Sequence, residues 1–458
     1  MKDPAKLFMR NYATPHNANS PSDHVTSRTT QFDGATSPLG TQVASYELSP
    51  MDAVMTPFGL TLVVIFPPRH DGEAYDHERL QSSLEVLVEE DYPMLMGTLH
   101  VDEVTGHVNV LVPEGRDAKA IPFVFVQEAT LTTDEAVRTT PASLILDRDE
   151  SKDLVCVKAT LLVDGGLALG VSFSHALLDA EAFFTFMKTW GMHYRGLGVN
   201  EGIQICHDRD LLAPRGTGAK QPHPEFFVPP TTPSSISVTY PPTTQQRFHL
   251  TPEQLTHLKT TGTSPSGAYV STIDTVAALF TILITQGRGH DQDVKITTGV
   301  NGRRRFQPPL PENYAGNVVS NALSTHPAED FATPSQGALQ RIAARIRQSI
   351  VETDESYMRD AIEFIASQGS RATSVQINAD YFFSTGIVFT SWANIGMYDA
   401  DFGARPWYCG QPILDLCEGF VVIMEGVHGT PGLDVLVFLE CKAMEKLATL
   451  WKKSDFLC

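Results

Sequence analysis

Three observations predict a mixed α/β protein of two domains. The chain has 458 residues, and single hydrophobic cores stop growing at about 250–300 residues, so two cores are expected. Segments with the period of strands alternate with segments with the period of helices in both halves. A proline-rich stretch at 206–244, which disfavours helices and central strands, separates the halves. We therefore expect domains at 46–205 and 245–458, joined by this crossover loop.

The first half is predicted to begin with a flexible leader. Residues 1–45 are rich in Ser, Thr, Asn and Pro and lack apolar periodicity. A helix is predicted at His77–Glu90, where leucines recur at helical spacing. An Asp-Gly-Gly turn at 164–166 between two alternating apolar runs predicts a β-hairpin. The predicted strands are Leu60–Phe66, Val108–Val112, Pro122–Val126, Leu154–Val163 and Leu167–His175.

Capping residues mark the helix starts of the second half. Thr251-Pro252-Glu253-Gln254 combines an N-cap, a proline at the first helical position and a glutamine three residues after the cap. Ser271 and Asp274 form a similar start, and apolar residues from Leu339 to Ile350 mark a third helix. Strands are expected at Ile387–Ser391, Phe420–Glu425 and Leu433–Glu440, and a closing helix at Met444–Lys452.

Composition excludes several classes of protein. The net charge is −19, so the chain lacks the bulk basic charge with which proteins grip nucleic acids or anionic membranes. The longest apolar run, Leu60–Phe66, is far shorter than the roughly 20 residues that cross a bilayer, and no secretory signal is evident. The 6 cysteines are scattered without a Cys-x-x-Cys pair, which indicates reduced thiols and no zinc site. We expect a cytoplasmic monomer without metal, membrane insertion or nucleic-acid partner.

The most informative residue is His175, which ends the apolar stripe of a predicted strand. A turn and a helix with large apolar residues follow it. A rigid strand end holds an imidazole at a fixed distance from a substrate, as a general base requires. The unperturbed histidine pKa of about 6.5 permits a neutral, basic ring at cellular pH. The alternative is a hydrogen-bonded core histidine without a chemical role.

Asp179 lies four residues after His175, across the turn. It either orients the imidazole or is held by a cation and braces the turn. The candidate cations are Arg303, Arg304 and Arg305.

The segment Leu161–Trp190, with Gly-Gly-Leu-Ala-Leu-Gly before His175-x-x-x-Asp179, resembles the coenzyme A-dependent acyltransferases called BAHD. Other motifs follow in the family's order over about residues 46–450, and their form resembles the fungal secondary-metabolism branch. They are Tyr46–Asp52, Ser271-x-x-Asp274, Val300-Asn-Gly-Arg303, Pro308–Pro311, Tyr314-Ala-Gly-Asn317, Thr390-Ser-Trp392 and Asp401-Phe-Gly403.

Two positions depart from the family pattern. Ala180 stands where the family usually has a glycine after the motif aspartate. The family's closing signature usually runs Asp-Phe-Gly-Trp-Gly before a basic residue and a proline. This chain has Asp401-Phe-Gly-Ala-Arg-Pro406, which lacks the tryptophan and is one residue shorter. The resemblance implies an acyl-donor channel beside this loop, so the change puts the loop and that side of the channel in question but leaves the histidine in place.

The resemblance implies two chloramphenicol-acetyltransferase-like domains with a channel between them. An acyl-CoA, acetyl-CoA by default, would enter from one side as a co-substrate, and no cofactor would be tightly bound. A small natural product would enter from the other side with its hydroxyl or amine. His175 would act as the general base midway along the channel, and Asp179 would be structural.

Supporting roles are expected for residues of the second half. Lys259 either meets a coenzyme A phosphate or is a surface lysine, and Ser271 is an N-cap and a neighbour of coenzyme A. Thr390 and Ser391 either line the channel and stabilise the oxyanion or only pack in a strand. Asn317 either forms a tight turn or hydrogen-bonds across the channel. Structural support is expected from Arg303, Asn317, Trp392, Asp401 and Gly403.

Three rival functions remain open. The scaffold could catalyse a cyclisation or isomerisation without a thioester, with His175 as a simple base. Condensation domains of peptide synthesis share the motif, but they normally have a second histidine where this chain has Ser174. A non-catalytic shell would bind a thioester without consuming it. Serine-hydrolase, zinc-protease and P-loop motifs do not occur in the sequence.

Overall fold

A computed structural model describes residues 43–113, 120–197, 203–229, 242–265, 267, 269–378, 385–411 and 418–457. Over these ranges the fold is mixed α/β, as the sequence predicted. The predicted leader at 1–45 lies almost wholly outside the described residues, as does the part of the crossover at 230–241.

Strands and helices are numbered here in chain order. The strands are β1 Val43–Glu47, β2 Gly59–Phe66, β3 Thr98–Val101, β4 Val108–Pro113, β5 Phe123–Gln127, β6 Val155–Leu161, β7 Leu167–Ser174, β8 Phe226–Phe227, β9 Thr243–Leu250, β10 Val294–Asn301, β11 Val319–His326, β12 Gln376–Ile377, β13 Ile387–Ser391, β14 Tyr408–Gly410, β15 Phe420–Glu425 and β16 Leu433–Glu440. The helices are α1 Pro50–Val54, α2 His77–Glu90, α3 Thr133–Thr139, α4 Ala180–Arg195, α5 Pro252–Gly262, α6 Thr272–Arg288, α7 Glu329–Ala332, α8 Gln336–Glu352, α9 Glu355–Ala366 and α10 Cys441–Lys452.

The first large sheet has the strand order β14-β2-β7-β6-β5. The predicted hairpin is present, because β6 and β7 are antiparallel with Leu161 opposite Leu167. β2 lies antiparallel on the other side of β7, with Gly59 opposite Ser174. Every residue of β7 is buried, so the strand is packed on both faces and its C-terminal end is held firmly.

The second large sheet has the order β11-β10-β13-β15-β16-β9, with β10, β13 and β15 parallel. The sequence did not predict β9, β10 or β11. β9 is an edge strand whose residues Thr-Thr-Gln-Gln-Arg are mostly partly exposed, so it lacks an apolar stripe. In β10 and β11, polar residues such as Thr297, Thr298 and Ser320 occupy buried positions, so the apolar stripe that marks a strand is interrupted.

The two hydrophobic cores exchange segments. Met51 and Val54 of α1 pack into the core of the second sheet. In return, Phe402 and Tyr408 from late in the chain pack into the core of the first sheet, where β14 pairs with β2. The packing of the first sheet therefore depends on residues from both ends of the chain.

A close approach fixes the loop before β14 on helix α4. A Cβ atom at Gly191 would lie 2.7 Å from the Asp401 carbonyl oxygen, so only glycine fits there. Ion pairs flank this contact, from Lys188 to Asp399 at 3.4 Å and from Arg195 to Asp401 at 2.6 Å. The altered closing motif therefore still docks on the helix that follows His175.

Both predicted capping boxes are present. The Thr251 and Ser271 side chains accept hydrogen bonds from the backbone N–H groups of Gln254 and Asp274. The side chains of Gln254 and Asp274 in turn accept hydrogen bonds from the backbone N–H groups of the two caps. Such caps typically contribute about 1 kcal/mol each. Among the helices of the described ranges, none combines the length and apolarity needed to cross a membrane.

Candidate active site

His175 follows β7 directly and is partly exposed. Its backbone N–H donates to the Phe58 carbonyl at 2.9 Å, which extends the β2–β7 pairing by one residue. The imidazole Nδ1 lies 3.0 Å from Asn317 Oδ1. Among the described residues, Nε2 of the ring has no hydrogen-bond partner. The ring is thus tied down on one nitrogen and free on the other.

The surroundings of Asn317 determine which nitrogen of His175 carries the proton. Asn317 Nδ2 donates to Asp52 Oδ1 at 2.9 Å and to the His175 carbonyl at 2.8 Å. A carboxylate and a carbonyl can only accept, so the amide nitrogen must face them and Oδ1 must face the imidazole. His175 Nδ1 is therefore the protonated nitrogen, and Nε2 carries the free lone pair.

Burial lowers the pKa of His175 below 6.5, because removal from water disfavours the imidazolium ion. Polar contacts with its own backbone and with Asn317, and the charge of Asp179, oppose this shift without cancelling it. At neutral pH the ring is consequently neutral, with a basic Nε2.

Asp179 is buried and its carboxylate oxygens are occupied by donors other than the imidazole. Arg303 donates to both oxygens, at 2.8 and 2.9 Å. The backbone N–H groups of Ala182 and Val318 donate at 3.0 and 3.1 Å, so Asp179 is also the N-cap of α4. Of the two roles considered for Asp179, the contacts favour bracing of the turn.

Arg303, one of the three candidate cations in the sequence, is the residue that pairs with Asp179. Burial disfavours its charge, but the charge and hydrogen bonds of Asp179, together with the nearby Glu181, outweigh burial and raise the pKa of Arg303. The same guanidinium donates to the Tyr314 and Gly316 carbonyls at 3.0 and 2.9 Å. Arg305 instead donates to the carbonyls of Ile350 and Thr353 at the end of α8.

Asp52 and Arg209 complete the polar cluster, and the sequence did not identify their roles. Asp52 Oδ2 lies 3.1 Å from Arg209 Nε, and both side chains are buried. A Cβ atom at Gly316 would lie 2.6 Å from Arg209 Nη1, so glycine is needed for the arginine to fit. Ser49-Pro50-Met51-Asp52 has the pattern of a capping box, and this pattern could have marked Asp52 as a residue with a structural role. Nothing local to Arg209 pointed to this cluster.

The end of β13 approaches helix α4 through Trp392. This side chain is buried and meets Phe184 edge-on, with ring centroids 5.9 Å apart. Thr390 and Ser391 precede it at the strand end and are partly exposed. The tryptophan therefore links the strand end that carries these two hydroxyls to the helix that starts beside His175.

Lys259 and Ser271 lie in a separate, partly exposed region. Lys259 Nζ is 5.3 Å from the centre of the Tyr269 ring, and the Arg347 guanidinium is 5.4 Å from it. Tyr269 is 67% exposed, and the sequence had not singled it out. Among the described residues, no direct contact joins this group to His175.

Asp401 and Gly403 belong to the loop that docks on α4. Asp401 Oδ1 accepts a hydrogen bond from the Gly403 N–H at 2.9 Å, while Oδ2 pairs with Arg195. Gly403 has φ +95°, a conformation that favours glycine. Phe402 between them packs on Phe66, so these residues hold the loop rather than approach the imidazole.

Comparison with known proteins gives consistent matches. The model of the Transferase family matches residues 24–452. Hydroxycinnamoyltransferase 1 of Oryza sativa subsp. japonica is 29% identical over 397 residues, which cover 82% of this chain and 87% of that protein. Shikimate O-hydroxycinnamoyltransferase of Nicotiana tabacum is 28% identical over 417 residues, which cover 87% and 92%.

Solved structures share the fold at low sequence identity. F. graminearum TRI101, complexed with coenzyme A and deoxynivalenol, superposes with a TM-score of 0.73 at 17% identity, over 90% of this chain and 98% of that one. Vinorine synthase superposes with a TM-score of 0.64 at 19% identity, over 93% and 97%.

Proposed function

The chain belongs to the Transferase family, that of the BAHD acyltransferases, and we propose that it acylates a hydroxyl of a small natural product with His175 as the general base. The family match confirms the resemblance that the ordered motifs indicated, so the protein is an acyl-CoA-dependent acyltransferase. The observation that carries the proposal is the state of His175, whose Nδ1 is held by Asn317 while Nε2 meets no hydrogen-bond partner in the described part of the chain.

In the proposed reaction, Nε2 of His175 accepts the proton of the acceptor hydroxyl as its oxygen attacks the thioester carbonyl. The carbon–oxygen bond forms and gives a tetrahedral oxyanion. This intermediate collapses with loss of the coenzyme A thiolate, which takes up the proton from the imidazolium. General base catalysis contributes about 10²–10⁴-fold, so positioning and oxyanion stabilisation supply the rest. The partly exposed hydroxyls of Thr390 and Ser391 are our candidates for the oxyanion donors.

The group around Tyr269 is our candidate for the phosphate-binding part of the donor site. Lys259 and Arg347 flank an exposed aromatic ring, and Ser271 opens helix α6 beside it. Cations and an aromatic face suit the phosphates and adenine of coenzyme A. Lys259→Ala should raise the KM for acyl-CoA and leave kcat unchanged. An unchanged donor KM would contradict this role, and Lys442→Ala, at an exposed position of α10, is the control.

We propose acetyl-CoA as the donor and a fungal secondary metabolite as the acceptor. A hydroxycinnamoyl donor is the second candidate, because the similar plant proteins are named hydroxycinnamoyltransferases. An amine is the second candidate acceptor, since another relative, from Avena sativa, is named a 5-hydroxyanthranilate N-hydroxycinnamoyltransferase.

A donor-by-acceptor panel tests the proposal with purified protein. Thiol release and product mass are followed with acetyl-CoA and with p-coumaroyl-CoA, and every acceptor is also incubated without a thioester. We expect thiol release matched by an acylated product. An acceptor that is converted without a thioester would instead support cyclisation or isomerisation, and binding of the thioester without turnover would support a non-catalytic shell.

The pH dependence of the reaction should report the neutral form of His175. Because burial lowers the pKa of this group, kcat/KM should stay on a plateau at neutral pH. Activity should fall as the pH drops through the lowered pKa, at values below about 6.5, since the imidazolium cannot accept a proton. A profile that rises between pH 7 and 9 with no acid limb below 6.5 would contradict His175 as the base.

A further inference from the structure

Asp52 is a fully buried carboxylate that the proposed reaction does not use. Its Oδ1 accepts hydrogen bonds from both nitrogens of Asn317, the backbone N at 2.8 Å and Nδ2 at 2.9 Å. Its Oδ2 accepts from the Ser49 hydroxyl at 2.8 Å and pairs with Arg209. The contacts of Asp52 thus join helix α1, the crossover segment and the loop before β11.

We propose that Asp52 is a positioning residue for His175, acting through Asn317 to keep the imidazole in one tautomer and one orientation. This inference rests on the proposed role of His175 as the base. Asp52 lies 265 positions away from Asn317 in the chain, and Asn317 lies 142 from His175, so the three residues meet only through the fold.

The donors and acceptors around the Asn317 amide explain how Asp52 would fix the orientation of the imidazole. With Asp52 present, a reversed amide would place its oxygen against a carboxylate and a carbonyl, and its NH₂ group against the Nδ1–H of the imidazole. Both contacts are repulsive, so the amide is held in one orientation. Without the anchored amide, the ring is free to adopt the Nε2–H tautomer. That tautomer is a donor at Nε2 and cannot accept the substrate proton.

The charged groups around the imidazole are arranged in pairs. Asp52 on α1 faces Arg209 of the crossover segment, and Asp179 at the start of α4 faces Arg303. Tyr314 lies between the two guanidinium groups, 5.3 and 6.0 Å from them. Replacement of Asp52 also leaves Arg209 without its carboxylate, so Asn317 offers the cleaner test.

The test uses the full-length protein labelled with ¹⁵N at histidine. Long-range ¹H–¹⁵N spectra distinguish a protonated from an unprotonated ring nitrogen, and His175→Gln assigns the signals of His175. The variants are Asn317→Ser, which removes the amide but keeps a small polar group, and Asp52→Asn. Asp76→Asn is the control, because Asp76 is another carboxylate at the start of a helix: it is the exposed N-cap of α2 and accepts a hydrogen bond from the Arg79 N–H.

In the wild type we expect a protonated Nδ1 and an unprotonated Nε2 at neutral pH. In folded Asn317→Ser the two tautomers should mix, and kcat should fall about 10–100-fold, by analogy with the loss of groups that orient metal-binding histidines through their other ring nitrogen. The donor KM should change little, because the imidazole is not a binding group for coenzyme A. Asp76→Asn should keep the wild-type spectrum and kcat.

Folded Asp52→Asn should show the same mixture of tautomers as Asn317→Ser. Four outcomes would overturn the inference: an Nε2–H tautomer in the wild type, an unchanged single tautomer in Asn317→Ser, the same in folded Asp52→Asn, and a kcat of Asn317→Ser within about threefold of the wild type. If Asp52→Asn does not fold, Asn317→Ser decides. The spectra need no substrate, so failure of the tautomer claim is distinguishable from failure of the proposed acyl transfer.

Discussion

His175→Ala should abolish turnover while the protein stays folded. The substitution removes the only proton acceptor that the proposed reaction uses, and loss of a general base costs about 10²–10⁴-fold by itself. The imidazole is partly exposed and makes one side-chain hydrogen bond, to Asn317, so its removal should disturb the fold little. Thiol release from acyl-CoA measures the activity, and thermal unfolding measures the fold.

A second histidine provides the control for this variant. His249 lies on strand β9 of the second sheet and is also partly exposed. Its Nδ1 is 2.7 Å from Oδ1 of Asp434 on strand β16. His249→Ala should retain turnover. Robust acyl transfer by folded His175→Ala would exclude the imidazole as the base.

Asp179→Ala and Arg303→Ala should each destabilise the protein by about 3–5 kcal/mol, because either change leaves a buried charge without its partner. The pair is buried, and its groups also bond the Ala182 and Val318 N–H groups and the Tyr314 and Gly316 carbonyls. Chemical denaturation measures the free energy of unfolding. Activity should fall with both variants, since Asp179 caps the helix beside His175 and Arg303 holds the loop that carries Asn317.

The double variant and a variant of an exposed ion pair serve as comparisons for this prediction. Asp179→Ala combined with Arg303→Ala should cost less than the sum of the single changes, because neither charge is then left alone. Arg195→Ala breaks the exposed pair with Asp401 and should cost only about 0–1 kcal/mol. If Arg303→Ala left stability and activity untouched while Asp179→Ala destroyed both, the ion pair would not explain the role of Asp179.

Local patterns in the sequence predicted the parts of the fold that local physics determines. The hairpin at 164–166 and the helix starts at Thr251 and Ser271 depend on turn and capping residues a few positions apart, and all three are present. Strand β9 depends on its neighbour β16 for order, and its polar residues carry no apolar period. Its existence could not be read from its own residues.

The candidate site also contains residues that the sequence could mark and residues that it could not. His175 and Asp179 lie on one short segment, so their spacing marked them, and the arginine run supplied the partner of Asp179. Asp52 and Arg209 join the site only because the chain folds back over more than a hundred residues. The local pattern marks Asp52 as the capping-box partner of Ser49, but it cannot show that the carboxylate also holds Asn317.

Metabolite profiling of a host with and without this protein, with His175→Ala as a third sample, tests the acyl-transfer mechanism most directly. We predict a metabolite whose mass gain equals an acyl group, present only with the wild type. The same gain should appear in vitro when the unmodified metabolite, acyl-CoA and the purified protein are combined. A new metabolite that forms without a thioester, or an acylated one that His175→Ala still produces, would contradict acyl transfer by this histidine.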